Sequence, residues 1–336
     1  MELEHHPPLT SAEISQIWSA YQNDSMASCV LQHFMQHVND PDITSLLDDT
    51  LQMTQSHIQS LTDFFNKENW PLPNGFTEAD VNPDAPRLFS DSFMLYYAQQ
   101  MGIMGINAMS MAISLSTRQD VYGYFTDCLS AFGQLHQRAN ELLLEKGLYI
   151  RPPYIPTPES TGFVTDQSFL GGWFGENRPL TALEIANLYA NIQRNALGKA
   201  LLTGFSQVAS SQEARKYTMR GKEIATKHIE IFSSKLNQDD LPASVSWDAE
   251  VTDSTVAPFS DKLMMFHTTG LTAISIGYYG TCLATSLRRD VSTDYSRLTT
   301  EIMKYSLDGA KLMIDNGWME EPPQAPDRGR LAKSKD

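Results

Sequence analysis

Two histidines recur at matching places in this chain, and histidine with carboxylates nearby is the raw material of metal binding and of acid–base chemistry. His57 and His228 lie 171 residues apart, each in the middle of a segment with helical periodicity. A dinuclear centre of the ferritin type draws a Glu-x-x-His from each of two helices. The helical segments hold none, because the residues three before His57, His136 and His228 are Thr54, Gly133 and Ala225; the spacing occurs only as Glu2 to His5, ahead of the expected first helix. The positions of the preceding helix level with His57 are Gln22 to Asp24, and those level with His228 are Gln193 to Asn195. His57, His228, Gln22, Gln193, Asp24 and Asn195 are therefore the expected buried polar layer or ligand site, with each histidine bonded to the glutamine beside it. If a divalent metal binds, His228 with Glu223, Glu230 and Glu301 is the better-supplied set. No cofactor is otherwise expected. Gly-x-Ser-x-Gly, a phosphate-cradling glycine loop and a Cys–His pairing are all missing from the pattern, so the reading is non-catalytic.

The elements that position these residues come in two copies. Pro8-Leu9-Thr10-Ser11-Ala12-Glu13-Ile14 returns as Pro179-Leu180-Thr181-Ala182-Leu183-Glu184-Ile185, and the same shift of 171 carries Gln22 to Gln193 and Phe34 to Phe205. Beyond a connecting loop the shift becomes 170, taking Phe89-Ser90-Asp91 to Phe259-Ser260-Asp261, Arg118 to Arg288, Gly147 to Gly317 and Pro152-Pro153 to Pro322-Pro323. Each copy has the length of a domain, which favours two similar bundles side by side over a solenoid of many short repeats.

Four helices are expected per copy. The first, about Ser11 to Val38, opens on the capping-box spacing of Thr10 and Glu13, repeated by Thr181 and Glu184. The second runs from about Asp42 to Asn69. A connection near 20 residues long, rich in Pro, Gly and Asn, leads to a third helix from Ser90 and Asp91 to about Thr117. Ser116 is the expected cap of the fourth, which stops at Gly147. Helices two and three would run parallel, placing Asp91 and Asp261 about 18 Å from the histidines, as caps and not partners. The fold class is thus all-α: two tandem ferritin-like antiparallel four-helix bundles related by internal duplication. The expected domains are 1–150, a Pro/Gly/aromatic linker over 151–178 held by Phe163, Phe169, Trp173 and Phe174, a second bundle over 179–323, and a basic flexible tail over 324–336.

The third helices carry almost no charge, from Ser92 to Thr117 and again from Leu263 to Leu287, where His267 is the only group that ordinarily titrates near neutral pH. Both are long enough to span a bilayer. Their Gln, Asn, Ser and Thr, and the lack of a basic flank, favour central helices enclosed on nearly all sides instead, with Gly102, Gly105, Gly270, Gly277 and Gly280 allowing close approach where the bundles meet. An apolar channel for a lipid-like ligand is the lesser possibility. A formal charge of −15 over 336 residues repels phosphate backbones, and no nucleic-acid role is expected. Cys29, Cys128 and Cys282 form no metal or CxxC spacing and align with small or aliphatic residues in the other copy, as buried hydrophobes of a reducing compartment. The acids and histidines of Met1 to Pro8 do not read as a signal peptide.

With the repeat laid out, the chain resembles a Bacillus-type family of tandem ferritin-like bundles known as a domain of unknown function and distantly similar to spore coat protein F. The resemblance rests on Arg178-Pro179-Leu180-Thr181-Ala182-Leu183-Glu184-Ile185, on Asp253-Ser254-Thr255 leading to Pro258-Phe259-Ser260-Asp261-Lys262, on Arg288-Arg289-Asp290, and on Gly317-Trp318-Met319-Glu320. These are caps and connections. The resemblance implies a structural or interaction role in the cytoplasm, mother cell or spore coat, with protein partners that include coat proteins. The alternative it leaves open is a degenerate ferritin-like protein binding a metal or an apolar ligand.

Overall fold

Thr10 and Glu13 do at the start of the chain what their spacing predicts: the Glu13 amide donates to the Thr10 hydroxyl at 3.2 Å, and the Thr10 amide donates back to the Glu13 carboxylate at 2.8 Å. In the computed structural model, which describes residues 7–171, 177–243 and 250–333, this box opens α1 (Ser11–His37). Asp40 accepts from two amides, with Pro41 at the first helical position, to start α2 (Pro41–Lys67). Ser90 caps α3 (Asp91–Leu115), and α4 (Gln119–Glu145) ends before Gly147 at φ 66. The second half repeats the set as α5 (Ala182–Val208), α6 (Gln212–Gln238), α7 (Asp261–Thr285) and α8 (Arg289–Asp315). Helix lengths of 27, 27, 25 and 27 residues are identical in the two halves, so the duplication is legible in the backbone itself. The protein is all-α, two tandem four-helix bundles, each a hairpin, a long crossover and a second hairpin.

Three expected caps act elsewhere. Ser116 closes α3, its hydroxyl donating to the Ala112 carbonyl, and the N-terminus of α4 has no side-chain cap of its own. Instead the amides of Thr117 and Arg118 both donate at 2.8 Å to Glu13, whose second oxygen serves its own capping box. Asp91 turns away from α3 to accept from the amides of Asn39 and Asp40 in the α1–α2 turn, and Asp261 does the same for Ser210 and Ser211. The cause is topological: the crossover returns α3 parallel to α2, so the free amides of one turn lie beside the carboxylate at the start of the next helix.

The two crossovers pair with each other. Val81 bridges Phe259 and Phe89 bridges Val251, and the 170-residue shift exchanges these pairs, as a two-fold axis requires. Ser90 donates to the Glu250 carbonyl and Ser260 to that of Asp80, each at 2.9 Å. Tyr97 and His267, equivalent positions, meet each other near the axis at 3.3 Å. Gly204 admits the Phe89 ring from the opposite half, which would stand 2.7 Å from a Cβ there. Leu88, Phe89 and Phe93 thereby share one continuous core with Phe205, Phe259 and Leu263. The bundles are not merely side by side; they have a common centre and two separate outer cores.

Enclosure of the third helices holds only near that centre. Phe93, Met94 and Leu95 are fully buried, as are Leu263, Met264 and Met265. Toward their C-termini the helices leave the axis, and Met111 (60% exposed), Leu115, Leu283 and Leu287 face outward. Gly102 and Gly105 press on His136 and Phe132 of their own bundle, while Gly270, Gly277 and Gly280 have open space beside them, so none mediates the meeting of the halves. Among the described residues no helix is long and apolar enough to cross a membrane. In the linker, Phe163 is 98% exposed amid an extended proline-rich run, and only Phe169 is held, under the Arg178 guanidinium; Trp173 and Phe174 lie outside the described residues. Part of the basic tail forms a short exposed helix, α9 (Arg328–Lys333).

Candidate functional site

The equivalent histidines have acquired different surroundings. In the first bundle His57 reaches from α2 to Asp24 on α1, Nδ1 to Oδ2 at 3.6 Å, with the Tyr124 and Phe132 rings of α4 packed on it. Cys128 stands beside it as well, which corrects the expectation that no cysteine meets a histidine. Burial alone would lower the imidazole pKa, but Asp24 and Cys128 outweigh it and hold His57 at about 10. Burial raises the pKa of the Asp24 carboxyl and the His57 imidazole opposes that rise, so the raised His57 pKa is the signature of the pair. Its contribution to stability, from a raised folded pKa, is complete below pH 6.5 and is lost as pH climbs through about 10. The Cys128 thiol is only 2% exposed and does not line the neighbouring cleft, so the arrangement is a buried charge and not an open nucleophile.

In the second bundle Asn195 replaces Asp24, and the histidine's inner neighbours are neutral. The Asn195 amide donates to the Tyr279 hydroxyl at 2.7 Å; Tyr279 lies 3.0 Å from His228 Nδ1; and Nε2 lies 3.2 Å from Glu301. Each group finds its partner when His228 carries its one proton on Nε2. Burial lowers the His228 pKa, Glu301 opposes it, and Lys227 and Arg297 reinforce it. Asp24→Asn should convert the first site into the second: His57, followed by an NMR pH titration of its ring protons, is expected to become neutral at pH 7. A ring that stays protonated there would refute the assignment of the charge to Asp24.

The glutamines are not the histidines' partners. Gln22 Nε2 donates to Glu320, beyond the second bundle, at 2.6 Å, and Gln193 Nε2 is enclosed with no hydrogen-bond partner. Nor do the suggested metal ligands converge. Lys227 Nζ sits 2.8 and 2.9 Å from the two oxygens of Glu301, and Glu223 and Glu230 are exposed, Glu230 two residues from His228 and so on another face of α6. Among the described residues no group of three or more His, Cys, Asp or Glu is disposed to hold a metal.

Asp24 also forms the inner wall of a cleft between α1, α3 and α7, with a volume of about 260 Å³. Met101, Met104, Phe132, Phe266, Leu271 and Ile274 line it, and Gln16, Ser19 and Asn23 stand at its rim. A smaller void of about 90 Å³ occupies the pseudo-equivalent place in the second bundle, reaching Asn195 and His228. Tyr97 and His267 separate the two. Met101, Met104 and Met109 thus border a void, whereas Met94 fills the core.

These features define a duplicated all-α protein built on a pseudo-two-fold axis, with a polar layer and a cavity in each half. The chain belongs to the family described as "Protein of unknown function (DUF3231)", which matches residues 1–160 and again 168–331. No curated protein matches it significantly. Among solved structures it is similar to a "putative spore coat protein" from Bacillus halodurans C-125, with 22% identity over 45% of this chain and 98% of that one, at a TM-score of 0.41. A likeness of that size carries no functional argument.

Proposed function

We propose that the protein is a non-catalytic binding protein whose first bundle holds a small apolar molecule in the cleft ending at Asp24. The cleft carries this reading: about 260 Å³ walled by methionine and aromatic side chains, against roughly 150 Å³ for an apolar cavity that admits benzene. Methionine's flexible thioether suits a surface that adapts to its occupant. The buried His57–Asp24 pair gives the inner end a fixed polarity, to which a hydroxyl or amine of the ligand would bind. A metal at His228 is the weaker alternative, since one imidazole and a carboxylate already held by Lys227 make a poor divalent site.

Gly270 supplies the test. It lines the cleft, and a Cβ there would meet no atom within 4 Å. Gly270→Leu should fill the space without strain and gain about 0.5–1 kcal/mol from relief of a helical glycine. The neutral probe N-phenyl-1-naphthylamine is expected to bind the wild type saturably and to lose that binding in Gly270→Leu, with helicity and melting temperature kept or raised. Equal binding by both proteins would sink the proposal. A spore or spore-coat setting, with coat-protein partners, is the cellular part of this reading and rests on the family resemblance; a fluorescent fusion that stays evenly dispersed throughout sporulation would exclude it.

A further inference from the structure

The orphaned amide of Gln193 has a partnered twin. At the equivalent position, Gln22 Nε2 donates to the Glu320 carboxylate, which also accepts from the amides of Asn74 and Gly75 and from Asn74 Nδ2. The residue equivalent to Glu320 in the first copy is Ile150, by the same shift that aligns Pro152 with Pro322. Ile150 has no carboxylate to give. Its side chain lines a cavity of about 270 Å³ between α3, α5 and the segment that follows α4. Gln193 lies against Tyr189, and a long contact to that hydroxyl lowers the phenol's pKa against the dominant effect of burial, but no group stands in full hydrogen-bonding geometry to its Nε2.

The same cavity contains a positive charge that its twin lacks. Arg194 stands where the first copy has Asn23, and lies over the Tyr278 ring with a hydrogen bond to the Asn191 side-chain oxygen Oδ1. Among the described residues it forms no ion pair with a carboxylate. Tyr96, Tyr149 and Tyr189 form the cavity's aromatic wall, with Gln99 and Gln100 beside them. The geometry points to a binding site for a small aromatic carboxylate. Its carboxylate takes the place that Glu320 fills in the twin, between Gln193 Nε2 and the Arg194 guanidinium, and its ring lies among the tyrosines. This site is separate from the cleft that ends at Asp24, and its fate does not depend on that reading.

The probe is benzoate, titrated into the full chain by calorimetry, with benzamide and phenyl phosphate as comparison arms. Benzoate is expected to bind at one site. Arg194→Gln should weaken it roughly 10- to 100-fold, the range of a lost charge-assisted hydrogen bond, and Gln193→Leu roughly 10-fold. Ile150→Glu should abolish binding and raise the melting temperature, because the chain then supplies the missing carboxylate. Circular dichroism confirms that each variant is folded, and Gly270→Leu should bind benzoate as the wild type does. No benzoate binding, benzamide binding as tightly, phenyl phosphate binding more tightly, or Ile150→Glu still binding would each overturn the proposal.

Discussion

Arg288→Ala is expected to lower stability by about 3–5 kcal/mol, the cost of removing one partner from a buried ionic cluster. The side chain is fully buried; its Nε and Nη2 meet the two oxygens of Asp290 at 2.9 and 3.1 Å, and Nη1 reaches the Arg178 carbonyl at 3.0 Å and Asp239 at 3.3 Å. Without it, two carboxylates at the end of the second bundle lose their shared counter-ion, and only Lys235 remains on Asp290. Arg288→Lys should recover only part of the loss, because an ammonium cannot span both oxygens as the guanidinium fork does. Arg118→Ala at the twin corner should cost less, since its partner Asp120 is a third exposed. Urea unfolding midpoints measure all three, and an Arg288→Ala midpoint equal to the wild type would show that this corner does not stabilise the fold.

Acid should unfold the protein through two particular carboxylates. Burial raises the pKa of Glu13, but the amides of Thr10, Arg118 and Thr117 outweigh it and hold the group at about 2, below its ordinary 4.5. Glu184 is held at about 2 against the same penalty by Arg178 and the amides of Thr181 and Arg288. A folded pKa below the unfolded one gives stability that is present above pH 4.5 and is lost as pH falls through about 2. The shifts correspond to something on the order of 3 kcal/mol for each group at neutral pH. Glu13→Gln with Glu184→Gln should therefore be less stable at pH 7 and show a flatter decline of stability between pH 5 and 2. Parallel declines in the wild type and the double variant would remove these carboxylates from the account.

Both predictions rest on contacts of unequal legibility. Thr10 with Glu13, Pro41 after Asp40 and Gly147 after α4 act within a turn of their own position, so local spacing predicts them. The other half of Glu13's role, capping a helix that begins more than a hundred residues later, has no local signature. Gln22 and Asp24 are both level with His57, but two residues apart on a helix is a rotation of about 200°, so only one can face His57. Axial level can be read from loop position, whereas the rotation of α1 about its axis is set by packing with the other helices. Tyr279 lies on α7 and Cys128 on α4, helices whose level against the histidines no short connection to α2 or α6 fixes. A signal for Cys128 existed: Val121, Phe125, Cys128, Phe132 and Leu135 form one helical stripe, and all five are buried.

The axis through Tyr97 and His267 has a consequence for what each half is free to become. In an association of two identical chains, a substitution on one side of the axis is written on the other at the same moment, so any improvement of one pocket must be tolerated by its mirror. Joining the copies by the exposed segment after α4 lifts that constraint while keeping the partner permanently at hand. Asp24 opposite Asn195, and Ile150 opposite Glu320, are differences no symmetric pair could hold. One pocket can close on a carboxylate of the chain itself and serve as architecture, while its counterpart stays open to a visitor.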